Sequence, residues 1–109
     1  MATTPKVLGQ SRPGATTLTA LYTVPALTNT TVSSVTVCNT SATPTSFRIS
    51  VAPAGAGDAL SQYVFYDVTI PGNDSFVATL GITLATTDVI RVYATLATLT
   101  FQAFGIEEA

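Results

Sequence analysis

Carboxylates are the residues in this sequence with the clearest potential for chemistry. Six are present: Asp58, Asp67, Asp74, Asp88, Glu107 and Glu108. Two carboxylates facing each other across a cleft could cleave a glycosidic bond, and aspartates in turns could bind calcium through their oxygens. The spacing of these residues indicates no such pair, and the sequence contains no EF-hand or comparable ligand loop. Asp58, Asp74 and Asp88 instead occupy predicted turns, where aspartate commonly accepts hydrogen bonds from backbone N–H groups.

The residues that usually complete a catalytic or metal site are missing. The 109-residue chain contains no histidine and a single cysteine, Cys38. General acid–base catalysis, nucleophilic catalysis and zinc binding therefore lack their usual side chains. Cys38 ends an apolar run over residues 35–38, and no basic residue or helix start adjoins it, so we expect a buried core thiol rather than a reactive one. We predict a protein that is not an enzyme and that uses no cofactor and no metal.

Tyrosines offer a second kind of chemistry, which is contact with sugars. Tyr22, Tyr63, Tyr66 and Tyr93 could line a carbohydrate-binding surface. Tyrosine rings in strands more often pack against their neighbours and form hydrogen bonds through the hydroxyl. A carbohydrate-binding module is therefore an alternative, ranked below a role in protein contacts.

The basic residues favour protein partners over nucleic acid. Lys6, Arg12, Arg48 and Arg91 are dispersed along a chain of net charge -2, whereas a phosphate-binding face needs a basic patch. Arg48 and Arg91 fall at predicted solvent-facing strand positions, where each could pair with an aspartate or anchor an interface. The candidate partner-binding residues are Lys6, Arg12, Arg48, Asp58 and Arg91.

The composition predicts a largely uncharged surface. Charged residues make up 9% of the chain and hydrophobic residues 47%, whereas about 25% charged residues is usual. Such a surface is covered either by serine and threonine hydroxyls or by other chains, and a small net charge favours a homo-oligomer or an assembly component. The sequence contains no run of about 18 apolar residues, which is the length that a membrane-spanning helix needs. The first residues lack the apolar stretch of a secretory signal, so we expect synthesis in a cytoplasm.

The elements that position these residues are predicted to be strands. Residues 1–15 contain two prolines and two glycines with little periodicity, which indicates an extended N-terminal arm, and residues 16–109 form the domain. About seven strands are predicted, over residues 18–24, 31–38, 45–52, 62–70, 75–84, 89–94 and 99–104. Residues 71–74 (PGND) predict a tight hairpin turn, and Gly81 predicts a bulge. The pattern is typical of an antiparallel β-sandwich, either immunoglobulin-like or jelly-roll-like.

Several strand segments resemble a family of small β-sandwich virion structural proteins common in tailed-bacteriophage genomes, associated with the head or the tail. The resemblance rests on residues 21–25 (LYTVP), 32–39 (VSSVTVCN), 47–55 (FRISVAPAG), 63–67 (YVFYD), 71–76 (PGNDSF) and 88–94 (DVIRVYA). It covers residues 18–106, and its motifs define the fold and transfer no catalytic residue. It implies a virion protein made in the host bacterial cytoplasm.

This resemblance and the composition together predict a capsid decoration or cement protein. Its partners would be the major capsid protein or other virion proteins, with contacts through the arm around Lys6 to Arg12 and through the loop over residues 54–58. A tail, baseplate or fibre component, acting as an adaptor or as a receptor-binding protein, is the nearest alternative. A glycan partner follows from the carbohydrate-binding alternative, and no nucleic acid or membrane partner is expected.

Overall fold

The computed structural model describes residues 2–109 as two four-stranded antiparallel sheets. The eight strands are β1 (Thr3–Ser11), β2 (Thr19–Thr23), β3 (Asn29–Asn39), β4 (Thr45–Ala52), β5 (Tyr63–Ile70), β6 (Ser75–Leu84), β7 (Val89–Ala94) and β8 (Leu99–Glu108). Two short 3-10 turns, Pro53–Gly55 and Leu60–Gln62, lie between β4 and β5. The predicted all-β antiparallel sandwich is confirmed, with eight strands instead of about seven.

The strand order alternates between the two layers. The first sheet has the order β1-β8-β3-β6 and the second sheet the order β2-β7-β4-β5. Among consecutive strands only β4 and β5 pair with each other, so every other connection in residues 2–109 passes from one sheet to the other. The turn over residues 71–74 therefore joins β5 of the second sheet to β6 of the first, and the prediction of a hairpin there was wrong. Proline and glycine specify a tight turn but not which strands pair beside it.

The predicted N-terminal arm is not seen, because Thr3–Ser11 form the edge strand β1. This strand pairs with β8 from Thr3 opposite Glu108 to Ser11 opposite Phe101, with an irregularity between Val7 and Gly9. Most of its side chains are exposed, and Leu8 alone among them packs against the core, so no alternating apolar pattern marks the strand. Pro5 is tolerated because the outer side of an edge strand needs no N–H donor. Met1 lies outside the described residues.

The core fills the space between the sheets, and the inward positions follow the period of two that the sequence predicts. Inward residues that are essentially inaccessible to solvent include Val35, Val37, Phe47, Ile49, Ile90, Val92, Ala94, Leu99, Phe101 and Ala103. Phe47 stands at the centre of an aromatic group, with ring centroids 5.3 Å from Phe76, 6.2 Å from Phe101 and 6.3 Å from Phe65. This shared core fixes which residues of each strand point outward.

Cys38 is exposed, so the prediction of a buried thiol was wrong. The apolar run on β3 alternates like the rest of the strand: Val35 and Val37 face the core, and Cys38 faces outward opposite Ser75 and Thr100. Hydrophobic neighbours in a strand therefore do not imply burial when they occupy the other face.

Candidate binding surface

The outer face of the second sheet brings together two arginines, an aspartate and three tyrosines. Arg48 on β4 lies opposite Tyr93 on β7, and Ser50 lies opposite both Arg91 on β7 and Tyr63 on β5. Because Phe47 and Ile49 face the core, Arg48 must project from the outer face. The sheet register therefore brings residues from three strands to one surface.

A bulge in β5 completes this surface. Phe47 pairs with Val68 and Ile49 pairs with Phe65, so two residues of β5, Tyr66 and Asp67, oppose the single residue Arg48. Asp67 has a positive φ of 51°, a conformation that aspartate tolerates better than most residues. The extra residue allows both Tyr66 and Asp67 to reach the same arginine.

Arg48 is held by an ion pair and by two aromatic rings. Its Nε donates to Asp67 Oδ1 at 2.6 Å and its Nη2 donates to Asp67 Oδ2 at 3.3 Å. Its guanidinium carbon lies 4.2 Å from the ring centroid of Tyr66 and 4.4 Å from that of Tyr93, which is cation–π geometry. Tyr63 contacts Tyr66 edge to face, with centroids 5.0 Å apart. We call Arg48, Tyr63, Tyr66, Asp67 and Tyr93 the Arg48 cluster.

The ion pair of the Arg48 cluster is charged but partly exposed to water. The hydrogen bonds that Arg48 donates to Asp67 raise the pKa of Arg48 above its already high value, so the guanidinium stays charged. The side chain of Asp67 is nevertheless 48% exposed and that of Arg48 24% exposed, so water screens the pair and it contributes little to folding. The two rings and Asp67 hold the guanidinium in one geometry within the chain itself.

The loop over residues 54–58 is tied to the same face. Tyr63 donates its hydroxyl to Asp58 Oδ1 at 2.9 Å, and burial together with this hydrogen bond raises the pKa of Tyr63. Arg91 donates from Nη1 to the Ala56 carbonyl at 2.8 Å and from Nη2 to the Gly55 carbonyl at 3.3 Å. Three of the five sequence-predicted partner-binding residues, Arg48, Asp58 and Arg91, therefore lie on or beside the second sheet.

The other two predicted residues lie apart from the Arg48 cluster. Lys6 on β1 pairs with Glu107 on β8 at 3.3 Å. Arg12, just after β1, donates to the Ala97 carbonyl at 3.3 Å. The structure therefore divides the five residues between two regions.

Glu107 belongs to a network that ties four strands together. It accepts a 2.6 Å hydrogen bond from the Tyr22 hydroxyl, which also lies 2.7 Å from Thr30 Oγ1. Burial, reinforced by the bond to Glu107, raises the pKa of Tyr22 to about 12, while the Tyr22 and Lys6 hydrogen bonds lower the pKa of Glu107. Of the four tyrosines that suggested a sugar surface, Tyr22 is thus a buried structural residue, and the other three gather around Arg48.

The outer face of the first sheet differs in kind. Its central positions are Ser34, Thr36 and Cys38 on β3, Ser75, Val77 and Thr79 on β6, and Thr100, Gln102 and Phe104 on β8. None of these nine residues is charged. We call this surface the neutral face, and Val77 is its most exposed large apolar side chain, at 61%.

The remaining candidate sites offer little chemistry. A shallow depression of about 370 Å³ is lined by Pro44, Thr45, Ser46, Thr69, Thr95 and Leu96, which include hydroxyls but no base to activate them. Within residues 2–109 no three metal-ligating side chains come together. The same part of the chain forms no helix long and apolar enough to cross a membrane.

Comparison with known proteins adds no assignment: no family model matches the chain, and no curated protein or solved structure matches it. The interpretation of the surface therefore depends on its own residues.

Outward alternation on β4 was enough to predict that Arg48 faces solvent. The pairing of Arg48 with Asp67 could not be predicted in the same way, because that contact depends on the bulge in β5.

Proposed function

We propose that this chain is a non-enzymatic structural protein of a tailed-bacteriophage particle, and specifically a capsid decoration or cement protein. It would bind the outer shell and reinforce the contacts between capsid subunits. The observation on which this rests is the Arg48 cluster, a preordered arginine with partly exposed tyrosines on a broad sheet face. Arginine and tyrosine are the residues most enriched at the energetic centres of protein interfaces.

The positions of the aspartates support a non-enzymatic role. Asp88 accepts hydrogen bonds from the backbone N–H groups of Ala54 and Ala85, and Asp74 accepts one from Ser75. Asp67 pairs with Arg48, and Asp58 accepts from Tyr63. Each of the four aspartates thus has a structural partner, an arrangement unlike the facing pair of carboxylates that a glycosidase needs.

The strand order supports an assembly role by analogy. The pairs β1–β8, β2–β7, β3–β6 and β4–β5 are nested within one another, as if one long hairpin had been rolled into two sheets. Such nesting is typical of a jelly roll, one of the two sandwich types that the sequence left open, and viral capsid and lectin domains use that fold. One fold hosts many functions, so the topology supports the proposal while the surface defines it.

In this proposal the Arg48 cluster lies against the major capsid protein. The tyrosine rings would supply apolar area, and Arg48 would exchange part of its hydration for acceptors on the shell. A stable contact of this kind buries about 1,200–2,000 Å², and many copies on one lattice would multiply its effect on the shell. Rupture of the shell would then also require these contacts to break.

The geometry favours protein contact over sugar binding. The guanidinium of Arg48 lies over the rings of Tyr66 and Tyr93, so one face of each ring is already occupied. A carbohydrate-binding surface would instead leave aromatic faces free for stacking. A tail, baseplate or fibre position would use the same cluster on a different partner, and the binding experiment separates it from the shell.

The test is binding of the labelled recombinant chain to purified phage particles that lack it. Arg48→Ala should weaken shell binding by about tenfold or more, the range of an interface hot spot. Gln102→Ala, which truncates a polar side chain on the outer face of the other sheet, should bind like the parent chain. Circular dichroism should show both variants folded. Equal binding of the Arg48→Ala variant, or binding to isolated tails but not to shells, would contradict the proposal.

A further inference from the structure

The two sheets in residues 2–109 expose four edge strands, and three of them are protected against pairing with another chain. An unprotected edge presents unpaired N–H and C=O groups that template strand addition. On β1 the protection comes from Pro5, Lys6 and a bulge. Strand β2 has only five residues and an irregular register, and β5 has Asp67 and two register shifts.

The N-terminal half of β6 has none of these protections. Its segment Ser75 to Thr79 contains no charge and no proline. Its irregularity comes later, opposite Ser33, where Gly81 has a φ of 61°. Val77 in the middle of the segment is 61% exposed, and its neighbour across the sheet on β3 is the uncharged Thr36. An uncharged, regular edge with an exposed β-branched residue is suited to pairing.

We propose that β6 pairs antiparallel with β6 of a second copy of this chain about a two-fold axis. The two first sheets would then form one continuous sheet of eight strands. The proposal concerns the opposite sheet from the Arg48 cluster and does not rest on the proposed function.

The side-chain alternation limits the register, and the exposure of Val77 selects among the registers that it allows. Residues directly opposite in an antiparallel pair point to the same face, so outward Ser75, Val77 and Thr79 must meet outward residues of the second copy. A register centred on Val77 satisfies this rule. It places Val77 opposite Val77 of the partner subunit and Ser75 opposite Thr79 of the partner subunit. The exposed valine would be covered, and the inward residue Phe76, which is partly exposed at the edge, would gain Ala78 of the partner subunit as a neighbour.

Charge explains why a second copy fits this edge. The segment Ser75 to Thr79 carries no charge, so no like-charge contact opposes its pairing with the same segment of a second copy. The adjoining outward residues of β3, Ser34, Thr36 and Cys38, are also uncharged, so the neutral face continues across the sheet from β6. A two-fold contact also closes on itself, so it yields a dimer and no open fibre.

Sedimentation of the intact chain tests the dimer. The parent chain should sediment at twice its monomer mass, Val77→Lys should be monomeric, and Val7→Lys should stay dimeric. Val7 is a matched control because it is 47% exposed on the protected edge β1. If Val77→Lys fails to fold by circular dichroism, Thr79→Lys on the same outward row replaces it. A monomeric parent chain, or a folded β6 lysine variant that remains dimeric, would overturn the proposal.

Cross-linking tests the register in a Cys38→Ser background, which removes the exposed native thiol. A short thiol-reactive cross-linker should join two copies of the Val77→Cys variant efficiently, while the Val7→Cys variant should stay monomeric on a denaturing gel. Cross-linking of Val7→Cys but not of Val77→Cys would overturn the β6 pairing. Arg48→Ala should leave dimerisation unchanged, so failure of this proposal is distinct from failure of the shell-binding proposal.

Discussion

The two outer faces of the sandwich are built by the same strand alternation but present opposite chemistry. On the second sheet, Arg48 is fixed by Asp67 and by the rings of Tyr66 and Tyr93. On the first sheet, the neutral face offers hydroxyls, an amide and isolated apolar groups without any charge. Directional groups held in place suit recognition of a different partner, whereas a neutral edge suits pairing with an identical chain. In the two proposals, recognition of a partner and self-association therefore use separate sheets.

Both outer faces depend on the shared core, so a substitution in the core should have the largest effect on the free energy of unfolding. Phe47→Ala should lower the free energy of unfolding by about 3–5 kcal/mol, because its fully buried ring contacts Phe65, Phe76 and Phe101. Urea denaturation followed by circular dichroism measures this change. Val7→Ala, a truncation of an exposed side chain on β1, should change stability by less than about 0.5 kcal/mol. A Phe47→Ala variant that unfolds at the parent midpoint would show that the buried face is assigned incorrectly.

The network of Tyr22 and Glu107 joins the two sheets, and its effect should depend on pH. The pKa of Tyr22 is about 12 in the folded chain and about 10 when unfolded, so its stabilisation is complete below pH 10 and is lost as the pH rises from 10 towards 12. The folded pKa of Glu107 is lowered, so its stabilisation is present above its unfolded value of about 4.3 and is lost as the pH falls through the folded pKa. Stability should therefore decline at both extremes.

Tyr22→Phe isolates this contribution. It should cost about 1 kcal/mol at neutral pH and flatten the decline between pH 10 and 12, because the titrating hydroxyl is gone. Thermal unfolding across that pH range measures the slope. A residual alkaline decline should remain from Tyr63, whose pKa is also raised by burial. An unchanged slope in Tyr22→Phe would mean that the network does not link the sheets energetically.

Regular alternation made much of the fold predictable. The strands Thr45–Ala52, Ser75–Leu84 and Val89–Ala94 have the predicted bounds because one side of each faces the core. Strand β1 was missed because an exposed edge strand has no apolar alternation to detect. Cys38 was misplaced because a run of apolar residues conceals which of them faces outward.

The candidate site was predictable only in part, for a physical reason. Alternation placed Arg48 on the outer face, but its contacts with Asp67 and Tyr93 depend on strand pairings across 19 and 45 residues of chain and on a bulge. Pairing between distant strands is set by the whole core and not by local propensity. The same limit explains why residues 71–74 predicted a turn correctly but the wrong strand pairing.

The most direct test of the proposed role is imaging of intact phage particles at a resolution that traces strands. We expect many copies of the chain on the shell lattice, with the Arg48 cluster against capsid subunits. A few copies at the tail or at one vertex, or shell-bound copies whose Arg48 cluster faces solvent, would contradict it.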